Sequence, residues 1–76
     1  MNQTEILTLM RELIEQQRKV VLSSAHRIVP GLTEDDLLQP NDFPELEMHP
    51  HFRHEEGILD GLQIAQAAFL RKLQES

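Results

Sequence analysis

Residues 30–50 read PGLTEDDLLQPNDFPELEMHP, and this stretch decides how the rest of the chain folds. All four prolines lie in it. Proline lacks a backbone donor, and the residue before it avoids the helical region, so no long helix passes through. On either side the sequence is free of proline and carries a helical apolar period. Two long amphipathic helices with a break between them close as an antiparallel hairpin, because each apolar stripe needs a partner and the other helix is nearest.

The first helix is expected over about residues 4–28. Leu7, Ile14, Val21 and Ile28 recur every seven residues, with Ile6, Leu13 and Val20 in a second row and Met10 joining them. Gln17 and Ser24 are polar gaps in this pattern. The combined face is wider than a two-helix seam, as for a helix with more than one neighbour. Thr4 is the expected N-cap, with Glu5 at the positive end of the helix and His26 and Arg27 at the negative end. Pro30 and Gly31 stop it.

The second helix is expected over about residues 50–74, starting on Pro50, where a missing N–H costs nothing. Phe52, Leu59, Leu62, Phe69 and Leu73 form its stripe, with Glu55 and Gln66 as polar gaps. Gly57, Gly61, Ala65 and Ala68 form a second row. Each glycine costs roughly 1 kcal/mol against alanine in a helix, so close approach of another backbone, inside the hairpin or in a dimer, is expected there. Leu7, Ile14, Val21, Gly57, Gly61, Leu62 and Phe69 are thus the helix-packing residues.

The connection, about residues 30–48, is too long for a structureless loop in a compact domain and is expected to be ordered with short helical turns. Thr33 has the form of a helix cap, with Asp36 at the capping-box position. Pro40 limits the turn that follows, Asn41-Asp42-Phe43-Pro44 is turn chemistry, and Glu45-Leu46-Glu47 reads as another short turn. Leu32, Leu37, Leu38, Phe43 and Leu46 are expected to pack onto the helices.

The formal net charge is −6. Glu34, Asp35, Asp36, Asp42, Glu45 and Glu47 all lie in the connection, without a single Lys or Arg. The other seven acidic residues are matched by the seven basic ones. The helices are therefore neutral and the net charge sits in the connection. An acidic patch with no basic stripe argues against nucleic acid and against anionic membrane surfaces. No stretch approaches the roughly 18 apolar residues of a membrane span. Residues 1–5 do not read as a secretory signal. There is no cysteine, so disulfides cannot supplement a thin core. A soluble cytoplasmic protein is expected.

A chain of this length buries only about 60% of its unfolded surface, which is marginal for stability. Pairing two hairpins into a four-helix bundle would hide the second rows. The expected architecture is all-α, with a homodimer or another helical protein as partner.

Little in the sequence points to catalysis. No cysteine nucleophile, strained serine turn or phosphate-binding glycine loop is present, so no enzyme activity, cofactor or small-molecule substrate is expected. His26, His51, His54 and Glu55 are candidate metal ligands, since the last three share a helix face and His26 ends the other helix at the same pole. Their spacing matches no defined zinc or di-iron signature. Leu37, Leu38, Phe43 and Leu46, apolar residues in acidic sequence, are candidate partner-binding residues. The leading reading is a non-enzymatic protein–protein interaction or assembly module; the alternative is a metal site at the loop pole.

Overall fold

The computed structural model describes residues 1–39 and 42–75. The described residues are helical, without a strand. Helix α1 runs over Gln3–Ile28, a single 3₁₀ turn covers Asp36–Leu38, a short helix α2 covers Pro44–Glu47, and α3 runs over Pro50–Glu75. The two long helices pack together as a hairpin with principal extents of 44 × 20 × 18 Å. Each has 26 residues, about 39 Å at 1.5 Å per residue, so the rod is one helix long and two helices wide.

Local chemistry explains each boundary. Helix α1 starts one residue earlier than expected because Asn2, not Thr4, is the cap; its Oδ1 accepts the Glu5 amide at 2.8 Å. The helix ends at Val29, extended as befits a residue before proline, with its amide donating to the Ala25 carbonyl at 2.7 Å. Gly31 then adopts φ +86°, the left-handed conformation that glycine takes without steric cost. The Thr33 and Asp36 pairing is reciprocal: the Thr33 amide donates to Asp36 Oδ2 at 2.9 Å, and the Asp36 amide to Thr33 Oγ1 at 3.3 Å. This box caps only a single 3₁₀ turn. Pro40 and Asn41, expected to limit that turn and begin the next, lie outside the described residues. Pro44 opens α2 at its first position, and Pro50 does the same for α3.

The core lies at the loop pole. Val21 and Ala25 of α1, Leu32 and Leu46 of the connection, and Phe52 of α3 form one buried cluster. Leu22, Ile28, Val29, Leu37, Phe43 and Leu59 pack against it. Phe52 and Leu46 have no accessible surface at all. Away from this pole Ile14 is buried, but Leu7, Met10, Leu62, Phe69 and Leu73 remain half-buried, because two helices alone cannot enclose a side chain on all sides.

One packing expectation is corrected for Leu38, and close approach to the small-residue row is corrected only as a contact inside the hairpin. Gly57, Gly61, Ala65 and Ala68 are exposed, and a Cβ built on Gly57 or Gly61 meets no atom within 4 Å. By helical phase this row lies on the far side of α3 from the stripe that faces α1, so no backbone of the hairpin approaches it. Leu38 does not pack onto the helices: it is 76% exposed, turned outward from the 3₁₀ turn while its neighbour Leu37 faces the core.

Replacing Phe52 with alanine is expected to cost about 3 to 5 kcal/mol, as for other buried phenylalanines. A domain this small cannot absorb that loss, so Phe52→Ala should lack a cooperative thermal transition by circular dichroism. Leu38→Ala, at an exposed position, should leave the midpoint unchanged within about 0.5 kcal/mol.

Candidate functional site

The candidate ligands at the loop pole are not brought together. His26 holds its Nε2 against the Leu32 carbonyl, tying the last turn of α1 to the chain that leaves it. The Glu55 carboxylate accepts the Gln17 side-chain amide at 2.8 Å, and the same Nε2 reaches the Glu55 carbonyl at 2.8 Å. Two polar gaps, one on each helix, thus face each other and satisfy one another. His51 stands edge-on to His49, with ring centroids 6.5 Å apart, and His54 is exposed. Among the described residues no group of three His, Asp or Glu side chains could hold a metal ion. The candidate convergence of His26, His51, His54 and Glu55 is therefore corrected: helical spacing puts three of them near one face, but His26 and Glu55 bond elsewhere and His51 and His54 do not turn toward them.

The candidate partner-binding residues divide. Leu46 is fully buried and Phe43 packs against the core, so both belong to the fold. Leu37 and Leu38 instead line a cleft of about 350 Å³ between the helices and the connection. Leu37, Leu38 and Leu59 give it an apolar wall, over a floor formed by the buried Val21 and Phe52. Glu34, Glu56 and Asp60 bring carboxylates to it, against Arg18 from α1. The Glu56 side chain is largely covered, 22% exposed, and burial raises its pKa above the ordinary value of 4.5. Arg53, whose Nη1 lies 3.1 Å from its carboxylate, opposes that shift, while Asp60 and Glu47 add to it. Arg53 thus pairs within its own helix, with the residue three positions on.

The opposite flank of the hairpin has another character. By helical phase Ile6, Leu9, Leu13 and Val20 share one flank of α1, and His51, Ile58, Leu62, Ala65 and Phe69 share one flank of α3. A shallow pocket joins Val20 and Ser24 to His51, which puts the two rows on the same side of the molecule. Leu9, Leu13, Val20 and Ile58 each leave 40 to 42% of their surface exposed. Beyond Ile58, Ala65 continues the surface without bulk. The second apolar row of α1 and Ile58, Leu62 and Ala65 of α3 thus lie on one side, bounded at the loop pole by Lys19, Ser23, Arg27 and His51. Sequence reasoning found both rows but not their union, since periodicity gives a residue's phase on its own helix and says nothing of the partner's rotation.

No protein-family model, curated protein or solved structure matches the chain. No helix among the described residues is long and apolar enough to cross a membrane.

Because burial raises the Glu56 pKa, the folded state favours the protonated carboxyl. Its contribution to stability is present below the unfolded value and is lost as pH rises through the folded one. Glu56→Gln should therefore raise the urea midpoint at pH 7 relative to the parent chain. The gain should vanish below pH 4.5. An equal gain at both pH values would show that the charge is not its source.

Proposed function

We propose that this protein is a non-enzymatic assembly module that pairs with a second copy of itself, side to side, to form a four-helix bundle. The observation that carries the reading is the apolar side built from Leu9, Leu13 and Val20 of α1 with Ile58, Leu62 and Ala65 of α3. Its large residues remain partly in water after the hairpin has closed. A scattered exposed leucine needs no explanation, but an apolar row on two adjacent helices marks an association surface.

Charge supports a second copy as the occupant. The helices are neutral overall, so their pairing meets no net repulsion, while the excess negative charge lies in the connection. An antiparallel C2 arrangement sets the two acidic poles at opposite ends of the bundle and leaves the apolar sides in contact. The side of the hairpin measures 44 × 20 Å, the scale of a standard interface, which covers about 800 Å² on each partner. Ala65, at the edge of this side, would allow a partner helix to approach closely.

Light scattering at micromolar concentration should return twice the chain mass of 8.8 kDa. Leu13→Glu combined with Ile58→Glu should return the mass of one chain and lower the thermal midpoint. A parent chain that is monomeric at these concentrations and unfolds cooperatively would remove the homodimer.

A further inference from the structure

The cleft lies on the flank opposite the side proposed for self-association. Arg18, which lines it, and Val20, on the apolar side, lie on opposite flanks of α1 by helical phase. We propose that this cleft is a docking site for a short segment of another protein that carries an apolar side chain next to Arg or Lys. Leu37, Leu38 and Leu59 take the apolar group, over a floor closed by the buried Val21 and Phe52, and the carboxylates of Glu34, Glu56 and Asp60 take the cation.

Shape and charge both select that occupant. The cleft, at about 350 Å³, is the size of a pocket for one or two large side chains and is open along one edge, where Leu38 stands exposed. Three carboxylates against one guanidinium leave the lining negative. Glu34 comes from the connection, whose other acids extend the same field beyond the rim. Glu56 is partly desolvated, and the Arg53 side chain beside it is 54% exposed and spends most of its charge on water. A cation brought in by a partner would meet this carboxylate from the cleft, where no group of the chain does so now. An acidic peptide meets repulsion on every wall but that of Arg18, and a purely apolar one leaves the carboxylates without a counter-charge. The surface is thus specific by sign as well as by fit.

The test uses the full ¹⁵N-labelled chain and a blocked peptide of sequence Arg-Leu-Leu-Arg, with Glu-Leu-Leu-Glu and Arg-Gly-Gly-Arg as comparisons. The first peptide should shift the amides of Leu37, Leu38, Leu59 and Asp60 to saturation, and neither comparison should do so. Glu34→Gln with Asp60→Asn, two exposed positions whose loss leaves the core intact, should weaken binding by about threefold to tenfold. Equal shifts with Arg-Gly-Gly-Arg, or shifts spread over Asp42 and Glu45, would mean unspecific attraction to the acidic pole and overturn the proposal. So would cleft shifts that grow with protein concentration before any peptide is added, because a second copy would then be the occupant. Light scattering on the same samples reads self-association separately, so a monomeric chain can still take the peptide and a dimer can still refuse it.

Discussion

Everything in this molecule hangs on the burial of one phenyl ring where three pieces of chain meet. Phe52 enters from the first turn of α3, Val21 and Ala25 come from the last third of α1, and Leu46 and Leu32 arrive from the connection. Pro50 sets where α3 begins, and therefore the rotation at which Phe52 points inward. Ala25 presents little more than backbone at the contact, and Leu46 fills what remains. Only at this pole do helices, turn and loop close a space from all sides. Beyond it the two helices continue as a pair of rods joined along one seam.

Along that seam the contact between Gln17 and Glu55 sets the register. Both positions interrupt apolar stripes, and each would be costly to face against hydrocarbon alone. Sliding α3 by one turn would leave the amide without its carboxylate and set both against aliphatic side chains. The polar gaps therefore specify which turn of one helix meets which turn of the other, a task that uniform leucine and isoleucine perform poorly.

Much of this was legible in the sequence. Proline placement and the seven-residue spacing gave both helices to within a residue at each end, and the Thr33–Asp36 pairing was legible as a local pattern with a known geometry. What escaped was rotational. The row of Gly57 and Gly61 looked like a contact face because glycine in a helix is costly, yet cost does not say which side of the hairpin the row will occupy. Leu37 and Leu38 looked alike, but adjacent residues of a turn point in different directions, so one joins the core and the other the rim of a cleft. The histidines do not form a cluster, since His26 turns to the Leu32 carbonyl and His51 stands against His49 while His54 faces solvent. The cleft itself could not be read, since it exists only where α1, α3 and the connection leave space between them.

The uneven distribution of the core has a kinetic side. With the closed cluster at one end and half-buried residues at the other, the free energy of local opening rises along the rod, from the ends of α1 and α3 toward Phe52. The hairpin opens like tweezers held at the hinge. Each opening uncovers Leu7, Met10, Phe69 and Leu73 together, a complete helical seam rather than isolated side chains. The seam that closes the hairpin is thus its least protected part, and the loop pole its most protected.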